Sequence, residues 1–170
     1  MEIRLLREED IEVRIQSCNK GGARLLLYKT ARCDMDILDE TFGNMNWKRR
    51  HTRDNRNCIV SIWDADKKEW IEKEDTGTES NMEAQKGLAS DSFKRACFNV
   101  GIGRELYSAP DMFVFANDLK TLKEDRGKWQ CYDRFIVSKI EYDERKIAYI
   151  AIKNLSNNRV IEFGKAKKKQ

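Results

Sequence analysis

The residues able to do chemistry in this 170-residue chain are few, and their spacing excludes several mechanisms at once. A single histidine, His51, rules out a Ser-His-Asp triad or a multi-histidine metal site within one chain. The five cysteines, Cys18, Cys33, Cys58, Cys97 and Cys131, form no close pair, so neither a CxxC redox motif nor a cysteine-rich zinc site is supported. Cys97, in a helical apolar pattern, and Cys131, beside a strand pattern, read as buried free thiols. Asp66-x-Lys68 and Glu144-x-Lys146 have the local spacing of a metal-dependent nuclease, but both fall in expected turns, where Asp and Lys serve turn chemistry. Two-metal catalysis also needs several convergent carboxylates. Gly101-x-Gly103 follows a helix instead of opening one, and no GxxxxGK[ST] occurs, so the glycines read as a helix stop.

What remains is cationic. The net charge of +4 is segregated: residues 1–45 carry −2, 46–56 carry +4, 57–84 carry −5, 85–110 carry +2 and 111–164 carry +1, and the last six residues add four lysines. The first cluster is Lys48-Arg49-Arg50-His51, continued by Arg53 and Arg56 and preceded by Trp47. In a strand, Lys48 and Arg50 share one face, and Arg49, His51 and Arg53 the other. A row of cations beside an aromatic suits the backbone and bases of a single-stranded nucleic acid. Cross-strand pairing with the acidic stretch Glu69–Asp75, at about 0.2–1 kcal/mol per pair, accounts for the same residues equally well.

The second cluster lies on a helix expected over Met82–Val100. At 100° per residue, Met82, Ala89, Phe93, Ala96, Cys97 and Val100 share one arc, the face that packs on a sheet. Lys86, Ser90 and Lys94 step along another line, and neither lysine has an acidic residue four places away. Lys86 also falls within the apolar arc, where an unpaired ammonium is costly unless it reaches a groove or an anion. Arg95 has Asp91 one turn before it as an expected partner. Lys86 and Lys94 are therefore the candidates for ligand contact, with Arg95 behind them; solvated helix surface is the competing reading.

The elements that must position these groups follow from pattern. Glu8–Ser17 reads as a polar helix with Ile11 and Ile15 on one face, Asn19–Gly22 as a turn, and Arg24–Lys29 as a strand. Ala31–Thr41 is an amphipathic helix stopped by Gly43. Trp47–Thr52, Cys58–Trp63 and Glu69–Glu74 form an antiparallel meander. Thr76–Asn81 is a loop before the long helix. Met112–Ala116 is a short strand and Asn117–Lys128 a charged connection or short helix. Phe135–Tyr142 and Lys146–Lys153 make a hairpin, and Val160–Phe163 a last strand. The expected class is α+β: an antiparallel β-meander packed on a central α-helix, with an additional C-terminal β-hairpin. Residues 1–164 read as one domain and 165–170 as a disordered basic tail.

These residues carry a resemblance. Ile37-Leu38-Asp39-Glu40-Thr41-Phe42-Gly43 is followed four residues later by Trp47, then by the basic and acidic strands. Next come Gly77-x-x-Ser80 and Lys86-Gly87-x-Ala89-x-Asp91-x-Phe93-Lys94-Arg95-Ala96, closed by Gly101. Over roughly residues 18–107 this order resembles the Rad fifty-two/twenty-two family of single-strand annealing proteins, particularly its short phage members. The resemblance implies a β-β-β-α core assembled into a closed ring, with single-stranded DNA in an outer positive groove, and neither ATP nor any other cofactor. It implies DNA contacts at Lys86, Lys94 and Arg95, with Lys48, Arg49, Arg50 and Arg53 as a second contact region. Cys18 stands nearest the arginine that the family often has before its glycine turn, with Lys20 as substitute, and Phe98 replaces a further basic residue. A single-strand-binding protein is a possible partner. The competing functions are a non-catalytic protein-interaction module and a metal-dependent nuclease.

Composition limits the setting. Charged residues make up 36% and apolar residues 40%, so the core is modest and the surface ionic. The longest apolar run, Ile147–Ile152, is too short for a membrane span, and Met1-Glu2-Ile3-Arg4 opens no signal-peptide core. The expectation is an intracellular, cytoplasmic protein with no membrane contact, in a bacterial host if phage-encoded.

Overall fold

The computed structural model describes residues 2–78 and 84–165, with the backbone alone for residues 84–86. The class is α+β with antiparallel sheets, a β-meander and a helix packed on it, as the pattern predicts. The chain divides into two compact units. One contains the residues up to Leu5 and Thr30–Arg104; the other contains Leu6–Lys29 and the residues from Glu105 on.

The second unit holds a six-stranded antiparallel sheet. Its strands are β1 (Glu12–Asn19), β2 (Gly22–Tyr28), β6 (Phe113–Phe115), β9 (Phe135–Asp143), β10 (Lys146–Asn154) and β11 (Val160–Gly164), in the order β11-β10-β9-β1-β2-β6. The expected helix over Glu8–Ser17 is instead a single 3-10 turn at Glu8–Asp10 followed by strand β1. Ile11 and Ile15 fit a helical spacing, but Val13 between them completes an every-second-residue pattern, with Glu12, Arg14 and Gln16 exposed. That alternation, paired along β2, decides the outcome.

The segment Asn117–Lys128 also differs from expectation. A 3-10 turn at Ala116–Asp118 leads to a two-stranded hairpin, β7 (Lys123–Asp125) and β8 (Lys128–Gln130). It turns at Arg126-Gly127, both left-handed at φ 50° and 76°. Strands of three residues are too short for alternation to register. The C-terminal hairpin turns at Glu144-Arg145, also both left-handed, the geometry that matches strand twist. At the open end of this hairpin sits a polar knot: the buried Asp133 accepts from Lys120 N, from Thr121 N and Oγ1, and from Asn154 Nδ2 at 2.6–2.9 Å.

In the first unit, α1 (Ala31–Phe42) is capped by Thr30, whose hydroxyl accepts from Cys33 N, and is stopped by Gly43 at φ 81°. The meander follows: β3 (Trp47–Thr52), β4 (Asn57–Asp64) and β5 (Glu69–Thr76), with β4 central. Because β4 is flanked on both sides, its Asn57–Ser61 stretch is buried throughout. The helix α2 (Ala84–Val100) packs on one face of this sheet through Leu88, Ser92, Phe93, Ala96 and Cys97. Its end is tightly made: Gly101 N and Ile102 N both donate to Cys97 O, and the Arg104 guanidinium donates to Phe98 O and Asn99 O. The guanidinium thus answers the carbonyls that a helix leaves open at its C-terminus.

Gly77 is required by close approach. A β-carbon there would lie 2.8 Å from Ser92 N and 3.0 Å from Leu88 O, both α2 backbone atoms. The rest of the expected Thr76–Asn81 loop and the expected start of the helix at Met82 fall partly on residues 79–83, outside the described residues. Residues 166–170 of the tail lie outside them as well.

Candidate nucleic-acid interface

Strand β3 distributes its cations by parity. Cα partners across the sheet are Lys48↔Ser61↔Glu72 and Arg50↔Ile59↔Glu74 on one face, and Arg49↔Val60↔Lys73 and His51↔Cys58↔Asp75 on the other. The second face is the one that α2 covers.

On the α2 side, the Trp47 ring stacks with Phe93 at 6.2 Å between centroids, and its indole Nε1 donates to Asp39 at 2.6 Å. Two residues on, the exposed Arg49 guanidinium stands 4.7 Å over the same Phe93 ring. Trp47, read from the sequence as a base-stacking neighbour of the cations, is therefore occupied in packing α2. Lys94 follows Phe93 directly and is half-buried; among the described residues no carboxylate pairs with it. Arg49 thus stands at the seam where strand and helix meet over an aromatic ring, and Lys94 is the next residue of α2, about 100° round the helix from Phe93. Backbone Lys86 lies two helical turns before Lys94, on the same line through Ser90; its side chain lies outside the described residues.

His51 closes the seam on the same face, with Nδ1 3.4 Å from Ser92 Oγ. Burial holds its imidazole below the ordinary value, and the neighbouring Arg49 charge lowers it further, against a raising contribution from a backbone hydrogen bond at Asn57. Arg53 lies just beyond, exposed, at the start of a turn in which Arg53, Asp54 and Asn55 are all left-handed. This turn is anchored by Ser92 Oγ donating to Asn55 O at 3.0 Å.

Arg95 has a different partner from the one expected. Its Nε lies 3.5 Å from Asp75 Oδ1 of β5, while the Asp91 carboxylate accepts from Thr78 N and Thr78 Oγ1. The i,i+4 spacing made Asp91 available, but the loop entering α2 takes it, and the strand beneath supplies the replacement. Lys20 sits exposed in the Lys20-Gly21 turn between β1 and β2, in the other unit.

The face of the sheet away from α2 carries Lys48 and Arg50. Lys48 Nζ stands 4.0 Å over the Trp70 ring, and Trp70 meets Trp63 edge to face at 5.5 Å. This exposed aromatic pair was absent from the candidates read in the sequence. Alternation in β4 and the short turn Asp64–Lys68 were the available signals, since together they place Trp63 opposite Trp70. Among the described residues no acidic residue of β5 pairs with β3; the β3 cation that reaches across β4, Lys48, meets Trp70. Instead Ser61 Oγ donates to Glu72 and Asn57 Nδ2 to Glu74.

The nuclease-like spacings sit in turns. Asp64 Oδ1 accepts from Asp66 N and Lys67 N, which closes the β4–β5 turn, and Glu144 is one of the two turn residues of the C-terminal hairpin. Among the described residues, no three His, Cys, Asp or Glu side chains are grouped to hold a metal ion. Cys33, Cys58 and Cys97 are buried free thiols, with burial pushing Cys58 up to about 11; Cys131 is only half-buried. Among the described residues, no helix is long and apolar enough to cross a membrane. Searches against protein-family models, curated proteins and solved structures find no match to this chain.

Proposed function

We propose that this protein binds single-stranded DNA and anneals complementary strands without ATP, acting as a homo-oligomeric ring in recombination or repair in the cytoplasm. The observation that carries the reading is the seam between β3 and α2, where the exposed Arg49 guanidinium stands over Phe93 and the next residue of α2, Lys94, has no carboxylate among the described residues set against it. Annealing requires strands held by their phosphates so that base edges stay free to pair. Lysine and arginine along a seam do this, and base-reading side chains do not. The succession β3, β4, β5, α2 agrees with the β-β-β-α core that the resemblance to the Rad fifty-two/twenty-two family implies.

In this reading Arg49 and Lys94 hold phosphates, Lys86 extends the line along α2, and Arg53 extends it along the β3–β4 turn. Arg95 is tempered by Asp75. Each protomer needs only a few contacts, because a ring multiplies them through effective concentration. No covalent intermediate or cofactor enters.

The test is strand annealing. Two complementary labelled oligonucleotides are mixed with the protein, without nucleotide triphosphate or magnesium, and pairing is followed by energy transfer. Acceleration over the protein-free rate, together with salt-sensitive binding of one strand alone, is the expected result. Absence of single-strand binding at low salt refutes the reading. Shortening of the labelled strand when magnesium is added would favour the nuclease alternative.

A further inference from the structure

Among the described residues, the β3–β4–β5 sheet has no further strand at either edge, and the two edges carry opposite charge. Asn46 O accepts from Trp63 N and Arg56 O accepts from Gly77 N, which fixes the alternation of bonded pairs along both ladders. Counting from these pairs, the backbone groups that point away from β4 are those of Trp47, Arg49 and His51 on β3, and of Trp70, Glu72, Glu74 and Thr76 on β5, the Thr76 N–H being taken by Asp75 Oδ1. Asn99 of α2 donates to Glu74 O; among the described residues the outward groups of Trp70 and Glu72 have no partner.

Cations on an edge strand ordinarily keep edges apart. Here that device acts only between like edges. Two β3 edges would bring Lys48, Arg49 and Arg50 against their own copies, and two β5 edges would do the same with Glu69, Glu72 and Glu74. Unlike edges attract. We infer that the protein self-associates head to tail, with β3 of one copy laid beside β5 of the next. Within one copy both strands run antiparallel to β4 and so parallel to each other; copies laid with their strands in the same direction therefore form a parallel ladder.

One register fits the side chains. Lys48 stands beside the next copy's Glu72, Arg50 beside its Glu74 and Trp47 beside its Ile71. The single like-charge neighbour in this register is Arg49 against the next copy's Lys73. The ladder groups also match: Arg49 N reaches the next copy's Glu72 O, and Arg49 O its Glu74 N. Such a contact is heterologous, so it repeats until it closes a ring or runs on as a filament. Lys48 and Arg50 are then assembly residues, while Arg49 and Lys94 remain on the α2 side. The inference deepens the assembly part of the proposed function and rests on that part alone.

The experiment is charge reversal read by light-scattering mass without DNA. Wild type should be a multimer. K48E/R50E makes both edges acidic, and E72K/E74K makes both edges basic. Each variant alone should fall towards the mass of a single chain, its self-association weakened on the order of 100-fold or more. An equimolar mixture should regain high mass, because the two variants can alternate along the assembly; a misfolded variant could not be rescued this way. A monomeric wild type, two variants that keep the wild-type mass, or a mixture that stays dissociated overturns the proposal. Single-strand binding by the same samples is read separately. A wild type that assembles by this rule but binds no strand supports the contact and refutes the nucleic-acid function.

Discussion

Replacing Arg49 and Lys94 by alanine, singly and together, tests whether the β3–α2 seam is where phosphates are held. Each cation that neutralises a phosphate on a single strand contributes about 0.7 to the slope of log affinity against log salt. Taking 1 M salt as the point where this contribution vanishes, one contact at ~0.1 M salt is worth about 5-fold in affinity, or ~1 kcal/mol. Arg49 has a second role, since its guanidinium covers the Phe93 ring at 4.7 Å; losing that contact costs about 0.5–1 kcal/mol of stability at an exposed site. Among the described residues, Lys94 makes no such contact. R49A should therefore lower both the salt slope and the melting temperature, and K94A the slope alone. The double variant should lose about 1.4 from the slope and about 25-fold in affinity at ~0.1 M salt. The assay is fluorescence anisotropy of a labelled oligothymidine at four salt concentrations, with K128A, at an exposed residue of β8 in the other unit, as control. Slopes unchanged in R49A and K94A, or lowered equally by K128A, would refute the seam and leave binding, if any, as diffuse charge attraction.

Three further outcomes follow from the geometry. His51, the single histidine, is a clean proton-resonance reporter: without DNA it should titrate below 6.5, and a bound single strand should raise it, because an added phosphate charge opposes that of Arg49. A base whose folded pKa is lowered supports the fold fully above its unfolded value and loses that support as pH falls through the folded one, so acidification below about 6.5 should begin to destabilise this unit. G77A drives a β-carbon against Ser92 N and Leu88 O of α2; overpacking of about 1–3 kcal/mol should appear as a fall of several degrees in melting temperature by circular dichroism. Burial alone would raise the Asp133 carboxyl, but its hydrogen bonds from Thr121, Lys120 and Asn154 hold it below the usual range. D133N should destabilise by about 1–3 kcal/mol in urea titration at neutral pH. The difference from wild type should begin to shrink as pH falls below about 4, where the unfolded chain's carboxylate takes up its proton, and close only further down, as pH falls through the lower value of the folded carboxyl.

The elements legible in the sequence were those with long periods and clear stops. Gly43 and Gly101 ended α1 and α2 where pattern placed them, and the three meander strands appeared within a residue or two of their read bounds. Legibility failed where two periods fit the same residues. Ile11 and Ile15 satisfied a helix, and only the pairing of Val13 with Leu27 across the sheet shows that the strand wins. It failed again where the partner is remote. Asp91 was the nearest carboxylate to Arg95 along the chain, but Thr78 claims it and Asp75 answers Arg95 across the fold. At the candidate site, parity along β3 separated Lys48 and Arg50 from Arg49 and His51 correctly. The face that α2 covers could not be chosen from parity alone, and the exposed pair Trp63 and Trp70 was invisible until the β4–β5 register was fixed.

The acidic stretch of β5 shows why counting charges along a chain is a weak guide to which charges meet. Nearness in sequence suggested that Glu69–Asp75 neutralises the cationic strand of the same meander. With β4 between them, cross-strand neighbours on β3 and β5 lie two strand spacings apart, roughly 9–10 Å between backbones. That is close to the screening length at physiological salt, so for exposed groups the attraction within one sheet is small. Asp75 is turned instead to Arg95 and Asn99 beneath the sheet. Glu72 and Glu74 are held by Ser61 and Asn57, neutral donors that leave their charge uncancelled. Lys48 does reach across β4, but to the Trp70 ring and not to a carboxylate, so among the described residues the sheet keeps a cationic edge and an acidic edge that do not pair with each other internally. A second copy laid as proposed would bring unlike edges to one strand spacing, where the same charges would attract at about half the distance.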